Sequence, residues 1–149
     1  MDARSLRISN LVLFAEDQSV FTVKEISEEG LWVFNEDETT WIEIDQFEGI
    51  PLTEGWLLRM GFVRIKRTGR YGDIYAISSG SDSCYCLEKD WNDYPSYFVG
   101  IEYTDSPFKE DEDKTYNFSF DMKHVHQLQN MYYALTGEEL TIKNDYEYA

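Results

Sequence analysis

The apolar positions near the C-terminal end of the chain repeat with the period of a helix. Within His124–Leu140 the apolar side chains recur at spacings of three and four and share one helix face: Val125, Leu128, Met131, Tyr132 and Leu135. Asp121 is expected to cap the N-terminus of this helix, and Gly137 to supply the left-handed residue that ends it. The helix is therefore predicted to cover the apolar face of a sheet.

Upstream, short apolar runs separated by polar turns predict β-strands. The first 49 residues contain four such runs: Leu6–Phe14, Val20–Ile26, Leu31–Phe34 and Trp41–Ile44. Four short strands at close spacing, with few helix signals between them, predict a small antiparallel sheet of the SH3-like type.

A short helix and a second group of strands are predicted to follow. Pro51–Gly61 has Thr53 as a candidate N-cap and Gly61 as the residue after the helix end. Five further runs have strand character: Phe62–Arg67, Asp73–Ile77, Cys84–Glu88, Tyr97–Tyr103 and Thr115–Phe120. Leu140–Lys143 is predicted as a last short strand.

These elements define an α+β fold with four segments. We expect an SH3-like β subdomain over residues 1–49, a linking helix over 50–61, and an antiparallel meander with the C-terminal helix over 62–143. Residues 144–149 are expected to form a flexible tail.

Charge narrows the classes of partner. The chain carries 29 acidic and 13 basic residues, a net charge of −16. Such a surface repels nucleic acid and anionic membrane, so nucleic acid is an unfavoured partner and membrane association is not expected. No apolar run reaches the length of a membrane span, and the first residues lack the apolar core of a signal peptide, which predicts a cytoplasmic protein. The alternatives for the charge are a solubility device and a partner with a basic surface.

Three segments of the chain resemble one protein family. They are Leu6-Arg-Ile-Ser-Asn, Ile50-Pro-Leu-Thr-Glu-Gly-Trp-Leu-Leu-Arg-Met-Gly-Phe and Val125-His-Gln-Leu-Gln-Asn-Met-Tyr-Tyr-Ala-Leu-Thr-Gly-Glu-Glu-Leu. In this order they resemble small uncharacterised proteins of Bacteroides-type bacteria and their phages. That family usually has Gly where Ser9 stands and a charged residue where Gly55 stands. The resemblance implies a phage or mobile-element context, and it implies no catalytic residues.

Motifs of catalysis and of cofactor binding are absent from the sequence. It contains no Gly-x-Ser-x-Gly elbow, phosphate-binding loop or dinucleotide fingerprint. Cys84 and Cys86 lie on one face of a predicted strand, but a zinc site needs three or four ligands. The only histidines, His124 and His126, are two residues apart on the predicted helix and should point in different directions. We therefore expect no enzymatic activity, cofactor or metal.

An acidic run and an aromatic cluster predict a protein-binding site. Glu110, Asp111, Glu112 and Asp113 form the densest acidic run, in a polar stretch that is either a solvated loop or a mimic of a phosphate backbone.

Trp91, Tyr94 and Tyr97 cluster around Pro95. Tyr and Trp are enriched among interface anchors, although most such aromatic residues belong to a core. We therefore expect a non-enzymatic protein that binds a basic host protein, for instance an inhibitor that occludes a host defence protein.

The alternative site is a basic hairpin. The five basic residues between positions 59 and 70, a stretch with no acid, are Arg59, Arg64, Lys66, Arg67 and Arg70. They would either contact phosphates or pair with nearby acids on a solvated hairpin. Nucleic-acid binding is thus the second function that the sequence leaves open.

Overall fold

The fold is taken from a computed structural model that describes residues 1–35, 38–65, 74–79, 83–89, 97–102 and 121–143. It is an α+β fold with two antiparallel sheets and two α-helices among these residues. Neither of the two helices is long and apolar enough to cross a membrane. The predicted strand over Thr115–Phe120 lies outside the described residues.

Contacts within the chain divide it into two compact units. The first comprises Met1–Pro51 and His124–Glu139, and the second comprises Leu52–Lys123 and Leu140–Ala149. The C-terminal helix thus groups with the N-terminal sheet, whereas the sequence analysis assigned it to the segment 62–143.

The first unit contains a five-stranded SH3-like sheet. Its strands are β1 (Leu11–Phe14), β2 (Val20–Ile26), β3 (Gly30–Asn35), β4 (Glu38–Glu43) and β5 (Phe47–Glu48). The spatial order is β4-β3-β2-β1-β5, and a 3-10 helix over Ile44–Gln46 joins β4 to β5. The sequence prediction of a small antiparallel sheet here is confirmed.

The inner face of this sheet carries the hydrophobic core of the first unit. The buried residues of the cluster are Leu6, Val12, Val23, Leu31, Val33 and Phe47. Three aromatic rings add edge-to-face and tilted contacts, since the centroids of Phe14, Phe21 and Phe47 are separated by 6.2–6.4 Å. In β3 the residues Leu31 and Val33 point inward, so Trp32 between them points outward.

The predicted first strand begins five residues later than expected. Residues 6–10 are not a strand, and Ser9 has a left-handed backbone with φ of 77°. A residue type that tolerates a left-handed backbone is favoured at this position.

Polar side chains of the C-terminal helix form hydrogen bonds with backbone groups within this segment and on either side of it. Helix α2 (Val125–Thr136) carries Gln129, whose Oε1 accepts a hydrogen bond from the Leu11 amide at 2.9 Å. Gln129 Nε2 donates to the Ser9 carbonyl at 3.3 Å. Asn130 accepts from the side chain of Asn10 at 2.8 Å and donates to the Ser5 carbonyl at 2.9 Å. The helix side chains therefore satisfy backbone groups that a strand ladder would otherwise pair.

Replacing Gln129 with leucine is expected to lower the free energy of unfolding by about 1–3 kcal/mol. The part-buried Leu11 amide would lose its acceptor on the buried Gln129 side chain, and a donor left unsatisfied away from water retains its desolvation cost. Urea denaturation measures this change. Gln46→Leu, at an exposed glutamine of the same unit, is the control and should change stability by less than about 0.5 kcal/mol. Equal effects of the two substitutions would contradict a structural role for the Gln129 hydrogen bonds.

The helix α2 starts differently from its prediction and ends as predicted. The N-cap is His124, not Asp121, because Asp121 forms the short strand β10 (Asp121–Met122). Gln127 Oε1 accepts from the His124 amide at 2.9 Å, as in a capping box. The helix ends at Thr136, followed by Gly137 with φ of 73°, so the predicted role of Gly137 as the residue that ends the helix is confirmed.

The second unit contains a short helix and an antiparallel meander. Helix α1 (Glu54–Arg59) has the predicted Thr53 N-cap, and Gly61 after its end has φ of 90°. The strands are β6 (Val63–Ile65), β7 (Ile74–Ser79), β8 (Ser83–Lys89), β9 (Tyr97–Glu102) and β10, in the spatial order β10-β9-β8-β7-β6. Leu140–Lys143 is not a strand; within it, the Lys143 amide donates to the Arg59 carbonyl at 2.8 Å.

Candidate functional site

The predicted partner-binding residues fall mostly outside the described residues. Trp91, Tyr94 and the acidic run Glu110–Asp113 lie there. Tyr97 is the first residue of β9, where its backbone pairs with Lys89 on one side and Met122 on the other. This predicted site therefore stays a prediction.

The described members of the basic hairpin have partners on the protein itself. The guanidinium of Arg59 lies over the Trp56 ring at 4.4 Å from its centroid. Arg64 Nη1 forms a 2.9 Å ion pair with Glu54 Oε1 at the start of α1. Lys66, Arg67 and Arg70 lie outside the described residues. Of the two interpretations of this patch, the two described cations favour the one in which charges pair with neighbours.

The outer face of the SH3-like sheet exposes two tryptophans side by side. Trp32 in β3 is the register partner of Trp41 in β4, so both side chains leave the same face of the sheet. They are 43% and 39% exposed, which is high for indole rings of this size. The sheet thus presents two neighbouring indoles to the solvent.

Gly30 positions the Trp41 ring. A Cβ at Gly30 would lie 2.6 Å from Trp41 Cζ2 and 2.8 Å from Cε2, so the indole rests directly on the glycine backbone. Gly30 is buried as a result, although it lies at the end of an exposed hairpin. One side of the indole is therefore covered by Gly30, while Trp41 as a whole remains exposed.

Acidic residues are frequent in the part of the chain that carries the two tryptophans. Between positions 24 and 48 the sequence has nine acids and one base, Lys24. Seven of the acids are described, and all are exposed: Glu25, Glu28, Glu29, Glu38, Glu43, Asp45 and Glu48. None of them forms an ion pair with any residue that the structure describes. We call Trp32, Trp41, Glu25 and Glu43 the acidic aromatic face, because the strand register places these four residues next to one another on the outer face of the sheet.

Two of the carboxylates lie next to the indoles. Glu25 in β2 is the register partner of Trp32, so a row Glu25–Trp32–Trp41 crosses three strands. Glu43 is the register partner of Gly30, on which the Trp41 ring rests. Each indole thus has a carboxylate at a neighbouring register position.

Lys24 shows how a cation can bind to this face of the sheet. Its ammonium group lies 4.9 Å from the centroid of the Phe34 ring, in the strand that also carries Trp32. The described cation–π contacts use Tyr133, Phe34 and Trp56 as acceptors, and none uses Trp32 or Trp41. The two exposed indoles therefore hold no cation from the described part of the chain.

The histidines form a stacked pair, contrary to the sequence argument. Their ring centroids are 5.5 Å apart with an interplanar angle of 17°. The prediction that His124 and His126 point in different directions was wrong because His124 is the N-cap, with an extended backbone instead of a helical one. The His124 ring also contacts the Gly49 backbone, where a Cβ would lie 2.6 Å from its Cδ2.

His126 is buried in its neutral form. Its side chain is 5% exposed and its Nδ1 atom has no hydrogen-bond partner. Burial, together with the charge of His124, lowers the pKa of His126 to about 4. Among the described residues, no group of three potential metal ligands includes this pair.

Comparisons of the chain with protein-family models, with curated proteins and with solved structures found no match.

Sequence reasoning did not identify the acidic aromatic face as a site. It predicted both strands that carry the indoles, but it did not pair them. The available signal was the alternation in Leu31-Trp32-Val33-Phe34, which places Trp32 opposite to two apolar residues that belong in the core. Trp41, with Thr before it and the acid Glu43 two residues after it, has the same signature of an outward side chain.

Proposed function

We propose that the chain is a non-enzymatic protein-binding accessory protein of phage or mobile-element origin that acts in the cytoplasm. In the concrete version it is an inhibitor that occludes the basic surface of a host defence protein. The phage context is supported by the family resemblance of three segments. The binding role is supported by the acidic aromatic face.

The observation that carries this proposal is the set of seven exposed carboxylates that no described residue pairs with. Exposed carboxylates on the strands and turns of one unit can occupy positions that phosphates of a nucleic acid would take in a basic groove. Such a surface attracts a basic partner over long distances and accelerates association. The exposed indoles add the apolar anchor that a stable complex needs once the charges have met.

Binding of nucleic acid through the basic hairpin is less well supported. Arg59 and Arg64 already contact Trp56 and Glu54, and the rest of the chain carries eight basic against 29 acidic residues. A polyanion would have to overcome this repulsion at every approach.

Capture from a host lysate followed by kinetics tests the proposal. The protein should retain a basic host protein at low salt, and surface plasmon resonance should show an association rate that falls steeply as salt rises. Replacing Glu28, Glu29, Glu38 and Asp45 with the corresponding amides should slow association roughly tenfold and leave dissociation almost unchanged.

A second variant and a second ligand complete this test. Replacing Glu110, Asp111, Glu112 and Asp113 with serine asks whether the predicted acidic run acts in the same way. Labelled duplex and single-stranded DNA should not bind at low salt in fluorescence anisotropy. The proposal fails if no host protein is retained. It also fails if the association rate depends neither on salt nor on these substitutions, since the negative charge is then a solubility device.

A further inference from the structure

The two exposed indoles are suited to a cation that the described chain does not supply. An indole is the best of the aromatic acceptors for cation–π contacts. The protein places Lys24 on the weaker acceptor Phe34 and Arg59 on Trp56, yet Trp32 and Trp41 have no such contact among the described residues. Both indoles are exposed and leave the same face of the sheet.

The neighbouring carboxylates define the chemistry of the missing partner. Glu25 lies beside Trp32 and Glu43 lies beside the glycine that supports Trp41. A group bound on either indole therefore meets an unpaired carboxylate at the adjacent register position. A cation is favoured at this position by both the indole ring and the carboxylate. A purely apolar group gains only from contact with the ring, and an anionic group gains from neither.

We propose that Trp32 and Trp41, with Glu25 and Glu43, form a binding site for arginine side chains of a basic segment in the partner protein. This inference rests on the proposed function and specifies which residues of the partner are recognised. Arginine is favoured over lysine because a planar guanidinium stacks on an indole while its N–H groups donate to a carboxylate in a two-pronged contact. Lysine offers a compact charge that gains less from the flat ring surface.

A peptide titration tests this site without the natural partner. The probe is a fluorescein-labelled peptide of nine arginines, titrated with the full chain at low salt in fluorescence anisotropy. A peptide of nine lysines with the same label has the same charge. We expect the arginine peptide to bind at least threefold more tightly than the lysine peptide.

Substitutions separate the indoles from the general charge. Trp32→Ala and Trp41→Ala should each lower the affinity for the arginine peptide roughly two- to fivefold, which is the effect of losing one solvent-exposed cation–π contact. Ile8→Ala, at a residue that is 54% exposed elsewhere in the same unit, should leave affinity unchanged. Thermal denaturation of each variant verifies that the fold persists.

A charge-matched pair removes the remaining ambiguity. The double variant Glu25→Gln, Glu43→Gln should lower the affinity for the arginine peptide at least threefold more than the double variant Glu16→Gln, Glu138→Gln. Both double variants lose the same charge from exposed positions, so bulk charge alone predicts equal effects. This comparison also tests the arginine site if a tryptophan variant does not fold.

The outcomes distinguish this inference from the proposed function. If arginine and lysine peptides bind equally and the tryptophan variants match wild type, recognition uses bulk charge alone and the arginine site is wrong, while a salt-dependent host partner would still support the proposed function. If the arginine site behaves as expected but no host protein is retained from a lysate, the proposed function fails and the peptide site remains.

Discussion

Replacing Leu128 with alanine is expected to lower the free energy of unfolding by roughly 2–5 kcal/mol. Leu128 lies in the first half of α2 and is fully buried, with 0% of its surface exposed. Truncation removes the transfer free energy of one methine and two methyl groups and leaves a cavity that a well-packed interior refills only in part. Urea denaturation followed by circular dichroism measures the change.

Leu135 on the same helix provides the matched control. It belongs to the predicted apolar face but is 37% exposed, so Leu135→Ala should cost well under 1 kcal/mol. Both residues have the same intrinsic helix propensity, so the difference between the two variants isolates burial. Equal losses at the two positions would show that Leu128 is not part of the core.

Acidification from pH 7 to pH 4 is expected to destabilise the protein through His126 by roughly 2–3 kcal/mol. Burial lowers its folded pKa to about 4, while the unfolded chain has the ordinary value of 6.5. Between these values the unfolded chain binds more protons than the folded chain. Stability contributed by the neutral side chain is therefore complete above pH 6.5 and is lost as the pH falls towards 4.

His126→Phe removes this titration and retains a flat ring. Between pH 7 and pH 4 the free energy of unfolding of this variant should fall by roughly 2 kcal/mol less than that of wild type. The carboxylates titrate in both proteins and cancel in the comparison. His124→Phe should retain most of the wild-type dependence, because burial is the larger cause of the His126 shift and the charge of His124 is the smaller one. A titration of His126 by NMR with a midpoint near 6.5 would contradict the prediction.

Local sequence signals predicted those elements whose stability is local. Thr53 and Gly61 bound α1 as expected, because a side-chain cap and a left-handed residue act within one turn. The spacing of Val125, Leu128 and Tyr132 likewise identified the buried face of α2. Strands β2 and β3 followed from short alternating runs.

The errors occur where distant residues replace local partners. Leu6–Asn10 has the apolar content of a strand, yet the Asn10 amide donates to the Arg7 carbonyl in a turn, and the Ser9 carbonyl accepts from Gln129 of α2, 120 positions away. No local pattern contains that information. The N-cap of α2 was misplaced for a related reason, since the Val125 amide donates to the Ile50 carbonyl at 2.9 Å and the helix starts where this contact allows.

The candidate site was only partly predictable because it needs strand register. Trp32 and Trp41 are nine positions apart, and an error of one residue in pairing β3 with β4 would place one indole on the opposite face. Composition predicted a basic partner from the excess of acids, and this partner stays a prediction. The predicted anchor residues Trp91, Tyr94 and Tyr97 remain a separate hypothesis about the same kind of partner.

The division of the first unit between the two ends of the chain determines when it can be completed during synthesis. All five strands of its sheet have been translated by residue 48, but the helix that satisfies Ser5, Ser9 and Leu11 follows only after the intervening segment Leu52–Lys123. At about 5–20 residues per second, the ribosome needs several seconds to pass that segment. During this interval the nascent sheet exposes unpaired backbone groups to chaperones and proteases, so a C-terminal truncation before residue 125 would leave the N-terminal unit permanently in its unfinished state.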